Sequence, residues 1–271
     1  MSLPQRQDLT LFSDQSVLPR ELLNGDGHHM FLVTSTMATQ PLWLLTALIE
    51  TKIKGAPLSL NGSAARRSEN PATQEMKTPV VVASFLHEHS FYHQALQKLR
   101  INANAYKVVD LLTGFVQKCG GKPRDVVLKE LLEQFTPDSQ STILIEQPEL
   151  LLSLLDGLTS DELNQKFLQP LRKKCNLLIV SSSIDLFQDN ENDPLDGSRG
   201  AVEYTRFISS LIYTSIVVMN LRSLETGRAK DVTGSLMISR GGQAPAGLSV
   251  HVVENEYLYL TEKESTRLFY R

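Results

Sequence analysis

This sequence has no excess of positive charge, no cysteine pairing pattern and no long apolar run. Lys and Arg number 27 against 30 Asp and Glu, a net charge of −3. No global basic field therefore draws the chain to nucleic acid or to an anionic membrane. Any RNA contact needs a local patch or charge from a partner. Cys119 and Cys175 are the only two cysteines. Without CxxC spacing they are expected to be separate reduced thiols of a cytosolic chain, not a redox or metal pair. No apolar run approaches the roughly 20 residues of a membrane span. The opening MSLPQRQDLTLFS lacks an apolar signal region, so a cytoplasmic location is expected, with the nucleus as a second compartment.

Several catalytic signatures are missing as well. There is no GxSxG elbow for a serine hydrolase and no GxGxxG after the first strand for a dinucleotide. HEHSFYH at 87–93 holds His89 and His93 at helical i, i+4 spacing. It is not HExxH and no third ligand is placed, so these histidines are expected to cap a strand end. Gly120-Gly121 and Gly241-Gly242 are read as turn glycines.

What is present is a chain of 271 residues, long enough for one large α/β domain spanning 1–271. Strand-like and helix-like stretches alternate. Apolar runs at 30–34, 79–85, 105–112, 142–145, 176–182 and 215–221 lack period-2 alternation, which predicts a mostly parallel sheet covered on both faces. Helical spacing marks 41–53, 90–99, 125–135 (Val126, Val127, Leu131 and Phe135 inward), a stretch from Ser160 (Leu163, Phe167, Leu168, Leu171) and 204–213. Residues 234–239, 248–253 and 257–261 are expected to form a C-terminal antiparallel meander. Residues 1–29 make an N-terminal arm with Leu9, Leu11 and Phe12 as an edge strand. Residues 55–78 are a flexible internal loop whose Arg66 and Arg67 are solvated, and 184–202 is an acidic loop.

The organising stretch is Ser141–Leu155, STILIEQPELLLSLL. A buried strand ending in Glu146, followed by Glu149, has the shape of the metal-side half of a nucleotide-hydrolase site. Such a site needs GxxxxGK[ST] after the first strand, where glycine amides curl round phosphate, lysine offsets its charge and the hydroxyl binds magnesium. That position reads Ser35-Thr36-Met37-Ala38-Thr39-Gln40-Pro41, with neither glycine nor lysine. Pro41 also removes an amide at the helix entrance. Glu146 and Glu149 are thus expected as polar residues at a strand end and a helix start, with no catalytic, cofactor or metal role.

Taken together, QRQDLTLFSDQSVLP (5–19), TQPLW (39–43), IEQPELLLSLL (145–155), AKDVTGSL (229–236) and HVVENEYLYLTEKESTRLFYR (251–271) resemble the Elongator complex subunit 6 family from end to end. The resemblance implies a RecA-like fold: a mostly parallel central sheet flanked by helices, a C-terminal antiparallel meander and no intact P-loop. It implies a non-catalytic subunit of a heterohexameric ring with Elongator subunits 4 and 5, two copies of each. That ring docks on catalytic subunits 1, 2 and 3, binds tRNA and supports C5 modification of the wobble uridine. No cofactor is implied, and no membrane. In ring-forming recombinase-like ATPases a basic residue near the meander reaches the neighbour's nucleotide. Arg228 and Lys230 are the candidates for that role in trans, against a solvated β-edge. Arg199 and Arg206 are candidates to face tRNA. The N-terminal arm and the tail Leu268-Phe269-Tyr270 are candidates to pack on neighbours. The alternative functions are a degenerate-site P-loop-type ATPase acting alone, or a subunit completing a neighbour's site.

Overall fold

The computed structural model describes residues 7–24, 27–61, 80–185, 199–224, 227, 229–244, 247–263 and 265–270. The expected loop arginines Arg66 and Arg67, the acidic residues Asp189, Glu191, Asp193 and Asp196, and Arg228 lie outside them.

The element order is α1 (Arg20–Asn24), β1 (His29–Ser35), α2 (Leu42–Lys54), β2 (Val80–Ser84), α3 (His89–Lys98), β3 (Tyr106–Asp110), α4 (Leu111–Lys118), α5 (Arg124–Glu133), β4 (Thr142–Glu146), α6 (Leu150–Leu154), α7 (Ser160–Leu163), α8 (Gln169–Arg172), β5 (Leu177–Ser183), α9 (Arg199–Thr214), β6 (Val217–Arg222), β7 (Gly234–Arg240), β8 (Asn255–Thr261) and β9 (Thr266–Tyr270). One nine-stranded sheet runs β3-β2-β4-β5-β1-β6-β7-β8-β9. The six strands from β3 to β6 pair in parallel. The last three are antiparallel.

Each apolar strand feeds two cores, because alternate side chains leave opposite faces. Phe31, Val33, Leu144, Ile179 and Met219 pack with Leu44, Leu45 and Leu48 of α2 and Tyr92 of α3. Leu32, Ile143, Ile145, Leu178 and Val180 face the other way, onto Leu131, Phe167, Phe207 and Leu211. In α5 the buried positions are Val127, Leu128 and Leu131, while Val126 is 42% exposed. The expected face was thus rotated by one residue, because Leu128 lies on the same side as Leu131. A π-helical turn, Asn164–Leu168, joins α7 to α8. Pro170 follows it; proline lacks the amide for the next helical bond and crowds the carbonyl four residues back, which the wider turn relieves.

The meander differs from the expectation. Residues 248–253 form no ladder in the sheet. Val252 makes a single bridge to Phe12, and this stretch lies along the N-terminal arm: Val253 N–H donates to Leu11 O and Ser13 N–H to His251 O. The last strand is instead β9, paired with β8. Strand periodicity reports a half-buried segment without naming its partner, which is why the two exchanged roles. The arm and tail are also corrected. Leu9, Leu11 and Phe12 join the first core, as does Leu268, and Phe269 is buried. Intramolecular pairing consumes the surfaces expected to reach neighbours, except Tyr270, which is 59% exposed. Gly241 is not a simple turn residue: a Cβ there would sit 1.9 Å from Ser215 O. It permits close approach of the end of β7 to the end of α9.

Candidate functional site at the carboxyl edge of the sheet

In open α/β sheets, ligands bind outside the carboxyl ends of the strands. Here β1 ends in Ser35, β2 in Ser84, β4 in Glu146 and β5 in Ser183. The six residues 36–41 connect β1 to α2, where a phosphate loop would lie. Three of their amides, those of Thr36, Met37 and Thr39, are turned to the protein itself. Thr36 N–H donates to Thr39 Oγ1 (2.9 Å), and Thr39 N–H donates to Thr36 O. Met37 N–H meets both carboxylate oxygens of Asp185, at 3.1 and 2.9 Å. The Ser183 hydroxyl also donates to that carboxylate (2.7 Å), and the adjacent Ile184 N–H donates to Ser35 O. An internal carboxylate therefore takes the place at the loop amide that a phosphate oxygen takes in a nucleotide site. Asp185 was not singled out in the sequence. The usable signal is its position, two residues after the Ser-rich end of a buried strand.

Glu146 is 4% exposed, at the end of β4. Its Oε2 accepts from the Ser84 hydroxyl (2.5 Å) and from His87 Nδ1 (2.9 Å). Ser84 Oγ in turn accepts the Leu86 and His87 amides. The Glu146 carboxylate fixes the orientation of the His87 ring through Nδ1. Phe91 stacks on that ring, centroids 3.7 Å apart. Glu146 is thus more than a polar strand end: it is the hub joining β4 to the turn after β2. Of the histidines in HEHSFYH, only His87 lies at the strand end; His89 and His93 lie on α3. His93 Nδ1 is engaged by the Tyr106 hydroxyl (2.8 Å), and His89 stacks on His93.

Between Glu146 and α6 the chain turns through Gln147, a non-glycine residue at φ 51°. Left-handed backbone costs such a residue roughly 1–2 kcal/mol. Its amide is repaid by Ser181 O at 2.7 Å. The turn carries Glu149 beneath β5, where Oε1 accepts Ser183 N–H (2.8 Å). Glu149 is 5% exposed. Burial pushes its carboxyl up to about 7; the Ser183 amide offsets part of this, and the charge of Glu146 adds to it. Tyr204 of α9 lies close by, and burial and the Glu149 charge push its phenol well up.

Ser35, Thr36, Ser84, Glu146, Glu149, Ser183 and Asp185 meet here with His87, which bonds Glu146; the set brings three carboxyl groups and no lysine or arginine. At close range such carboxylates repel phosphate. Among the described residues no group of three His, Cys, Asp or Glu is placed to hold a metal ion. The basic candidates lie apart from this cluster. Arg199 and Arg206 are exposed on α9, seven residues apart and so on one face. Arg206 pairs with Glu203 (3.6 Å). Lys230 is exposed between β6 and β7. Both cysteines are buried. No helix among the described residues is long and apolar enough to cross a membrane.

A mostly parallel central sheet flanked by helices, with an antiparallel carboxy-terminal extension, makes this an open-sheet α/β protein. Its phosphate-loop position is closed by its own carboxylate. The chain belongs to the Elongator complex protein 6 family: it is 46% identical over 280 residues to Elongator complex protein 6 from Saccharomyces cerevisiae, with 100% of both chains covered. No family model matches. The crystal structure of flagellar accessory protein FlaH from Methanocaldococcus jannaschii aligns with a TM-score of 0.48 at 10% identity, over 99% of this chain and 100% of that one.

Proposed function

We propose that this chain is a non-catalytic accessory subunit of Elongator. It assembles with subunits 4 and 5 into a ring of two copies each, which joins catalytic subunits 1, 2 and 3. The ring binds tRNA and supports C5 modification of the wobble uridine. The full-length likeness to an Elongator complex protein 6 supports membership. The observation that carries the non-catalytic reading is Asp185 seated on the Met37 amide. A triphosphate would have to displace a carboxylate already held by two donor groups, beside two further carboxylates and without a loop lysine.

Native mass spectrometry of the chain co-expressed with subunits 4 and 5 tests assembly; failure to recover a complex with two copies of each removes the ring. Calorimetry of the isolated chain with ATP tests the other half. Heat at background is expected, and micromolar binding lost in Glu146→Gln would replace this reading with a degenerate-site ATPase. Exposed Lys230, with Arg228, is the pair proposed to act on a neighbour's nucleotide. Changing both to Ala should lower ring ATPase turnover with assembly intact, and unchanged turnover removes that role. Arg199 and Arg206 are proposed to face tRNA from one side of α9. Changing both to Ala is expected to weaken tRNA binding by the assembled ring.

A further inference from the structure

Away from the closed loop, α3 carries a pair of histidines that the proposed assembly does not use. His89 and His93 are four residues apart, and so lie one above the other on one side of the helix. Their ring centroids are 5.7 Å apart and the rings are tilted by 23°. His89 is exposed and His93 half-buried. His87, by contrast, is committed to Glu146 and takes no part. Tyr106, the first residue of β3, sets its hydroxyl 2.8 Å from His93 Nδ1, with the two rings 6.2 Å apart. Nε2 is then the nitrogen of His93 left for another partner. Two imidazoles at this spacing suit a transition metal. A metal bound by one nitrogen of each ring, at about 2.0–2.1 Å, sits about 3.2 Å from each ring centre. A tetrahedral angle then places the centres about 5.2 Å apart, against 5.7 Å here. The exposed His89 closes the difference by turning about its side-chain bonds, which also brings the two lone pairs to converge.

We propose that His89 and His93 form a two-imidazole chelate for a late first-row divalent metal, Cu(II) most tightly, with Tyr106 positioning His93. Metal on Nε2 leaves the ring proton on Nδ1, which donates to the Tyr106 hydroxyl. Such a bond on the second nitrogen is the usual support of a metal-bound histidine. No third His, Cys, Asp or Glu completes a site with the pair among the described residues, so water fills the remaining positions. Glu88, exposed and next to His89 at the start of α3, offsets the positive end of the helix dipole, which opposes a cation there.

Isothermal titration calorimetry of the tag-free full chain with nickel chloride and with copper chloride tests this, at about pH 7.5, where imidazole is mostly neutral. One strongest site per chain is expected, tighter for copper. His89→Ala and His93→Ala should each weaken it by at least about tenfold, because one imidazole then acts where two did. Tyr106→Phe should weaken it about tenfold with the stoichiometry kept. Unchanged affinity in any of these three variants overturns the site as assigned. An equal loss in His251→Ala, which removes an exposed histidine far along the chain, overturns it too. Should His93→Ala fail to fold, electron paramagnetic resonance of the wild type with one equivalent of Cu(II) decides. Two coordinated imidazole nitrogens are expected, and a single one overturns the chelate.

Discussion

Replacing Lys52 with methionine should make this protein more stable at neutral pH. Lys52 sits in the last turn of α2 with its side chain fully buried. Its Nζ reaches one acceptor, Gln140 O at 3.3 Å, and burial pushes its pKa down from 10.5 to about 8 despite the pull of Asp138. That depression corresponds to at most about 3 kcal/mol against folding with the charged side chain. Methionine keeps the length and most of the volume, and removes the charge. It also leaves the Gln140 carbonyl one donor short, a loss of about 1 kcal/mol. The net gain at pH 7 is then about 1–2 kcal/mol. The sign of its pH dependence follows from the lowered pKa. The unfolded chain holds this proton up to about 10.5, whereas the folded chain releases it above about 8. Wild-type stability therefore recovers between those values, and the penalty is complete below them. Urea unfolding followed by circular dichroism at about pH 7 and about pH 10 measures both predictions. The Lys52→Met advantage should be present at the first and mostly gone at the second. A destabilised variant at pH 7, or an advantage that does not shrink with pH, would refute the reasoning.

Two further substitutions probe the closed edge and the close approach beside it. Asp185→Ala leaves the Met37 amide and the Ser183 hydroxyl without their acceptor, and should lower stability by about 1–3 kcal/mol in urea titration. ATP heat should stay at background, because two carboxylates remain and no loop lysine is gained. Gly241→Ala drives a methyl group onto the Ser215 carbonyl. A loss of more than about 2 kcal/mol in melting experiments is expected, and an unchanged melting temperature would mean that β7 and α9 are free to move apart.

The central parallel strands were legible because β1, β2 and β4 are nearly continuous apolar runs, which only a sheet covered on both faces can bury. The missing phosphate loop was legible too, since an absence of glycine and lysine needs no coordinates. Asp185 was not. Its importance comes from the pairing of β1 with β5, which brings residue 185 to residue 37 across a separation of 148. Glu149 illustrates a related limit. Sequence places it at a helix start, where a carboxylate suits the dipole. Only the left-handed turn at Gln147 shows that the side chain is driven under β5 and out of water. The exchange of 248–253 for β9 has the same origin: local pattern gives burial, and partner choice is a matter of tertiary pairing.

The seating of the N-terminal arm has a consequence for how the chain reaches its final shape. Residues 7–13 are held by residues 251–268: Gln7 N–H donates to Leu268 O, and Ser13 N–H to His251 O. Thr10 N–H meets the Tyr257 hydroxyl at 3.2 Å, across a sequence separation of 247. On the ribosome residues 7–13 emerge well before residues 251–268, on which they dock. Leu9, Leu11 and Phe12 must stay unburied by that surface while the strands between are synthesised and paired. Contacts this distant in sequence form late and slowly. The seat of the arm is therefore complete only after the strands between have been made, and its closure is a long-range step.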